Sequence, residues 1–216
     1  MMDLHTHTVF SDGVGEISDN IARAEQRMLK LIGISDHMHY FTPKTFNSYV
    51  FQIKRFKKES EVKVLAGIEA NIFPGGVDIT DNMADKLDYV IASAHVWLEP
   101  GRAEVYLDLI KTALRDENVD VIGHFGNLFP HIGYPKEEEL IEIIELAEAN
   151  GKAFEISSRY KVPELGFVRA CIQRGVKLTL GSDAHMPEDV GRVGWALKLF
   201  RKAGGKDEDL LFSELL

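Results

Sequence analysis

The chain has 216 residues, of which 45% are hydrophobic and 27% charged, with 25 basic against 34 acidic side chains and a formal net charge of −9. That length supports one sizeable core with no linker-like run to divide it, so one domain over residues 1–216 is expected. No stretch approaches the ~20 consecutive apolar residues of a membrane span, no basic and then apolar leader opens the chain, and the acidic balance argues against a general nucleic-acid surface, which needs clustered Lys and Arg.

The chain opens with "DLHTHTVFSDG" at 3–13, a strand-like start that ends in His5 and His7. Residues i and i+2 of a strand share a face, so both imidazoles can address one ion. Asp12 follows in Ser-Asp-Gly, which reads either as a further ligand or as plain turn chemistry, with Gly13 permitting a positive φ. A helical pattern at 18–30, with Ser18 as its N-cap, leads to the strand "LIGISDH" at 31–37, ending in Asp36 and His37. By strand alternation Asp36 faces away from His37; it reads as an acceptor orienting a ligand or as a residue apart from the pocket. The basic run Lys54, Arg55, Lys57, Lys58 is interleaved with acids and reads as a solvated helix face.

The strand "VKVLAGIEA" at 62–70 brings Glu69 to its end, and "FPGGVDI" at 73–79 is expected to loop over the same mouth. "LDYVIASAH" at 87–95 ends in His95 and "VDVIGHF" at 119–125 carries His124. "NLFPHIGYP" at 127–135 is a second candidate lid whose apolar side chains would either select substrate or simply pack, and a helix over 136–150 is closed by Gly151. "AFEISS" at 153–158 exits toward Arg159, and "VKLTLGSDAH" at 176–185 ends in Asp183 and His185, repeating the i, i+2 spacing. Cys171, the only cysteine, cannot form an intrachain disulfide and sits in a helical pattern as a core residue; a cytoplasmic location is the expectation. The tail "DEDLLFSELL" at 207–216 has helical spacing and would either cap the fold or form a subunit contact, leaving a homo-oligomer open.

Short apolar strands alternating with helices define an α/β fold whose parallel sheet is buried on both faces. A doubly wound sheet and a barrel both satisfy that rhythm. Ligand-type residues at nearly every strand C-terminus favour the barrel, because a barrel gathers those ends at one mouth whereas an open sheet spreads them along an edge. Six of the eight histidines fall at these ends, while His39 and His131 lie in loops. With Asp12, Glu69 and Asp183 they make nine candidate ligands. Imidazole with carboxylate and no thiolate suits zinc, iron(II) or manganese rather than calcium. Nine groups exceed the needs of one structural ion, so several ions with open positions are expected, and hydrolysis is the leading chemistry.

These segments, with "GIEANI" at 67–72, "GHFGN" at 123–127 and "LGSDAH" at 180–185, resemble the PHP (polymerase and histidinol phosphatase) superfamily, particularly its small stand-alone phosphoesterases. The resemblance runs from residue 2 to about residue 200. It implies a distorted (β/α)7 TIM-like barrel and three divalent ions at a trinuclear site, hydrolysing a small phosphomonoester with a metal-activated hydroxide. Carried over by position, His5, His7, Glu69 and Asp183 hold the first ion; Glu69, His95 and His124 the second; Asp12, His37 and His185 the third. Glu69 is the bridging group and His37 a candidate proton donor. Asp12 marks a departure, since some stand-alone relatives have histidine there. Arg159 and Arg192 are expected on the rim as phosphate-binding guanidiniums, and three dications would outweigh the local carboxylates for an anionic substrate. Three alternatives stand beside this reading: a histidinol phosphatase specifically, an amidohydrolase-like C–N hydrolase, and a non-catalytic metal-stabilised domain.

Overall fold

Parallel strands with near-continuous apolar runs need cover on both faces, and helices supply it here. The computed structural model describes residues 1–216 and orders them as β1 (Met2–Asp3), α1 (Ile17–Gln26), β2 (Leu31–Ile34), α2 (Pro43–Glu59), β3 (Lys63–Phe73), β4 (Gly76–Val77), α3 (Asp81–Ala84), β5 (Tyr89–Ser93), α4 (Ala103–Arg115), β6 (Val121–Ile122), α5 (Phe129–Ile132), α6 (Glu137–Ala149), β7 (Ala153–Ser157), α7 (Leu165–Gln173), β8 (Leu178–Gly181) and α8 (Gly194–Lys202). Seven strands pair in parallel in the order β1-β2-β3-β5-β6-β7-β8. The ring is drawn together where Leu4 N donates to Leu180 O at 2.9 Å and Thr6 bridges Ala184. The result is the expected distorted (β/α)7 TIM-like barrel.

Two layers of core hold it. Ile32, Ile34, Val64, Ala66 and Ile68 pack outward against Ile17, Ile21 and Ala24 of α1 and Phe46, Tyr49, Val50 and Ile53 of α2. On the other side Val121, Phe154, Ile156 and Leu178 meet the apolar stripes of α4, α6, α7 and α8, including the buried Cys171, whose thiol is pushed up by that burial. Residues such as Ile17, Ile21 and Ala24, spaced at i, i+4 and i+7, give one face of a helix.

Several local expectations need correction. The cap of α1 is Glu16, not Ser18: Glu16 N donates to Asp19 Oδ2 at 2.8 Å, a cap that begins the helix two residues earlier. Gly13 is required for a different reason from turn freedom, because a Cβ there would lie 2.6 Å from the His7 carbonyl. The segment 73–79 is not an open loop: β3 runs past Glu69 to Phe73 and turns back as β4, with Ile72 opposite Val77. Within 127–135, Phe129 and Ile132 of α5 are buried in the core, so this segment is anchored rather than free to act as a lid. The tail is not one helix but two short 3-10 turns, Asp207–Asp209 and Ser213–Leu215. It closes the barrel's N-terminal end: Leu211 N donates to Leu178 O at 2.9 Å, Lys30 Nζ to Leu216 O at 2.9 Å, and Phe212 meets Tyr89 edge-on. The basic run on α2 is solvated, as read, with Lys57 paired to Asp88 at 2.7 Å and Arg55 to Glu59 at 3.7 Å. No helix is long and apolar enough to cross a membrane.

Candidate metal centre

All nine candidate ligands reach the C-terminal mouth of the barrel, most of them from the segment just past a strand end. His5 and His7 follow β1, His37 follows β2, His95 follows β5, His124 follows β6, and Asp183 and His185 follow β8; Glu69 alone stands inside a strand. The i, i+2 reasoning holds for His5 and His7, whose ring centroids are 5.0 Å apart. For Asp183 and His185 it does not, because Asp183 has φ of 54° and leaves the strand; the two still converge, with His185 Nδ1 3.4 Å from Asp183 Oδ1. His124 likewise adopts φ of 29°. Non-glycine residues in that region are strained, and such strain gathers at functional sites.

Glu69 is the hub. Its Oε2 lies 3.3 Å from His5 Nε2, 3.6 Å from His7 Nε2 and 2.9 Å from His37 Nδ1, and its Oε1 lies 3.3 Å from His95 Nε2 and 3.2 Å from His124 Nε2. Asp183 Oδ1 is 3.2 Å from His7 Nε2. Asp12 Oδ2 is 3.3 Å from His185 Nε2 and 3.6 Å from His37 Nε2. Three sets of donor atoms lie close enough to share an ion: His5, His7 and Asp183; His37, Glu69 and His95; and His7, Asp12, His37 and His185. They overlap the expected partition without matching it: Glu69 groups with His37 and His95 rather than with His5, His7 and Asp183, His7 and His37 each stand in two groups, and His124 stands in none.

The donor atoms themselves test whether cations fit. His5 Nε2, both ring nitrogens of His7, His37 Nδ1 and Glu69 Oε2 are buried without a hydrogen-bond partner. Buried polar atoms in that number are costly unless something electrophilic satisfies them. Divalent ions fit that requirement.

Ligand orientation comes from Glu155, Asn71 and Asp3, which sequence reading did not single out, and from Asp36, which it did. Glu155, buried on β7, accepts from His5 Nδ1 at 2.9 Å and from His124 N at 2.6 Å. The first contact fixes the proton on Nδ1 and leaves Nε2 free for a metal. A Cβ on Gly181 would overlap the Glu155 carboxylate, so the neighbouring strand must carry glycine. Asn71 Oδ1 accepts from His95 Nδ1 at 2.8 Å and does the same service there, while its amide nitrogen donates to Asp78 Oδ2. Asp3 accepts from Ser182 N, Ser182 Oγ and Gly191 N, pinning the segment that carries Asp183. Asp36 accepts from Thr8 N at 2.7 Å, Thr8 Oγ1 at 2.8 Å and Ser11 Oγ at 2.6 Å. It therefore orders the loop that presents Asp12 rather than a histidine. The signal for Glu155 and Asp3 was present: an acid inside an otherwise apolar buried strand demands a partner.

The carboxylates also set protonation. Burial alone would lower the His5 imidazole, but Glu155, Glu69 and Asp183 outweigh it and hold His5 well above its usual range. His37 and His124 are raised against burial in the same way, chiefly by Glu69. Burial dominates at His7, which is lowered. Burial would raise Glu69 and Asp183, yet the imidazoles around them hold both well below the usual carboxylate range.

These raised imidazoles stabilise the metal-free fold below their unfolded pKa of about 6.5 and lose that contribution as pH rises through their folded values. Ion binding has the opposite trend, because a metal needs neutral imidazole and displaces the proton. Chelation is therefore expected to lower Tm more at about pH 8 than at about pH 6, which melting curves with and without chelator at the two pH values check.

Arg159, about half exposed, joins the mouth, its Nη1 donating to Asp183 O at 3.1 Å. Arg192 does not: it pairs with Asp189 at 2.6 Å and is absent from the walls of the metal pocket, since the chain turns away there with Gly191 bound to Asp3. The metal pocket, about 310 Å³, is walled by Arg159, His39, Tyr40 and Tyr160 above the ligands. His131 lies elsewhere, beside Trp97.

A parallel barrel whose mouth gathers six imidazoles and three carboxylates presents groups that could hold metal ions. The PHP domain family profile matches residues 3–159, and the chain belongs to this family. It is similar to a probable phosphatase of Thermoanaerobacter sp. (strain X514), 35% identical over 99% of this chain and 90% of that protein. A probable phosphatase of Clostridium acetobutylicum is 31% identical over 92% of this chain and 84% of the other. Among solved structures, histidinol phosphate phosphatase from Lactococcus lactis subsp. lactis, complexed with Zn, L-histidinol and phosphate, superposes with a TM-score of 0.72 at 21% identity, covering 95% and 94% of the two chains. An amidohydrolase from Chromobacterium violaceum gives 0.51 at 16% identity, covering 88% and 89%. Both likenesses show the fold.

Proposed function

We propose that this chain is a metal-dependent phosphoric ester hydrolase that cleaves a small phosphomonoester at a trinuclear site for zinc, manganese or iron. The observation that carries the reading is Glu69, one buried carboxylate within 3.6 Å of five imidazoles, at the foot of a pocket that Arg159 overlooks. Divalent ions in such a site lower the pKa of bound water and stabilise charge on the attacking and leaving oxygens.

The chain's own groups divide the remaining work. His5, His7, Glu69 and Asp183 would hold the first ion, Glu69 with His95 and His124 the second, and Asp12, His37 and His185 the third. Glu155 and Asn71 fix the ring orientations of His5 and His95. Arg159 supplies N–H donors to phosphate oxygens, in the planar geometry that suits them. His37, partly exposed at the mouth, serves the third ion or, with that ion absent, gives the leaving oxygen its proton. Arg192 has no part in this account.

The names of the relatives support phosphoryl chemistry. An amidohydrolase-like reading is weakened because no lysine lines the metal pocket to form the modified bridge of that class. A purely structural role is weakened by the number of donors left without partners. The test is inorganic phosphate release from histidinol phosphate, nucleoside monophosphates and an aryl phosphate, with manganese-loaded and chelated protein side by side. Metal-dependent release from at least one ester is expected; no release from any with bound metal verified overturns the reading.

A further inference from the structure

Beside the metal pocket lies an apolar cleft of about 420 Å³, walled by Phe125, Phe129, Tyr134, Ile141 and Phe167 between α5, α6 and α7. That volume lies in the range of small-molecule sites, roughly 300–1,000 Å³. Tyr160 is the partition. It lines both spaces, is 44% exposed, and its ring lies 4.9 Å from the His124 ring. The cleft is also continuous with the metal site through the chain: His124 faces Glu69 while the next two residues, Phe125 and Gly126, form the cleft wall.

We propose that this cleft receives the alcohol portion of the substrate, so that the preferred substrates are phosphomonoesters of bulky, uncharged, apolar alcohols. The inference rests on the phosphatase reading above. Tyr160 borders both spaces, so an ester whose phosphate lies among the metal ligands finds its neighbouring apolar surface in the cleft, where aromatic surface is exposed on Tyr134 and Tyr160. Exposed apolar surface concentrated in one groove marks a ligand site. The only charged side chains of the cleft are Lys161, Glu137 and Glu164, one cation against two carboxylates. That balance disfavours a second phosphate within the cleft.

The test compares kcat/KM for 2-naphthyl phosphate and glycerol 3-phosphate in the manganese-loaded protein and in Gly166→Leu. Gly166 lines the cleft from α7, and a Cβ there meets no atom within 4 Å, so a larger side chain can start from this position into the cleft. In the wild type the naphthyl ester is expected to be preferred by on the order of tenfold or more, with free 2-naphthol inhibiting competitively; Gly166→Leu is expected to erase most of that preference. Metal content and Tm report the variant's fold, and Tyr134→Ser, at a largely exposed position, is a second variant expected to raise KM for the naphthyl ester. Equal use of both esters, an unchanged preference in both folded variants, or non-competitive inhibition by 2-naphthol overturns the cleft assignment while leaving the phosphatase intact. Hydrolysis of neither ester by protein with verified metal, together with silence toward the wider panel, overturns both.

Discussion

Glu69→Gln is expected to reduce kcat toward any accepted phosphomonoester by on the order of a thousandfold, since the ions it helps hold supply several kcal/mol of transition-state stabilisation and each ~1.4 kcal/mol is a factor of ten. The substitution keeps volume and shape, so the barrel survives; what changes is charge at the point where five imidazoles meet. Without the anion, the imidazoles discharge rather than stay as unpaired buried cations, because a buried charge is far costlier than a neutral ring. Bound metal per chain is expected to fall together with turnover. Near-wild-type turnover at full metal content would contradict the placement of Glu69 as the bridge.

The second large effect belongs to Glu155→Gln, at a residue that touches no substrate. One carboxylate oxygen accepts from His5 Nδ1 and the other from His124 N. An amide can satisfy one of the two and must present its NH2 group to the other, leaving a buried donor unpaired at a cost of about 1–3 kcal/mol of stability. Metal affinity is expected to fall about 10- to 100-fold, as when other carboxylates behind ligating histidines are changed. Turnover at saturating metal should recover most of its wild-type value. Chelator-competition titration separates affinity from turnover, and unchanged affinity would show that His5 is oriented by something else.

The candidate ligand set was legible because its members obey two local rules. Ligands in a barrel sit at strand C-termini, and strand ends are visible where apolar runs stop at His or Asp. The supporting shell was harder to see. Asp36 lies next to His37, yet its partners Thr8 and Ser11 are more than twenty residues away; Glu155 acts on His5 across the barrel. Spacing in sequence carries no information about such contacts until the ring has closed. Arg192 is a related case: proximity to the last strand does not reveal that it pairs with Asp189 and is not among the residues lining the metal pocket. The β3–β4 hairpin was missed because Gly75 and Gly76 read as loop, whereas Gly76, at φ of 140°, lets the chain turn back and pair. The tail's apolar residues suggested a helix, but Leu210 and Leu211 are spent on β8 instead, a tertiary contact that overrides local periodicity.

The most direct test of the account is reconstitution of chelator-stripped protein with manganese, following bound metal per chain and phosphate release in one titration. Activity is predicted to be absent from the stripped protein and to rise only as more than one ion is bound, because the ligands converge in overlapping groups around Glu69. Full activity in the stripped protein, or saturation of activity by a single ion, would contradict a multinuclear hydrolytic centre.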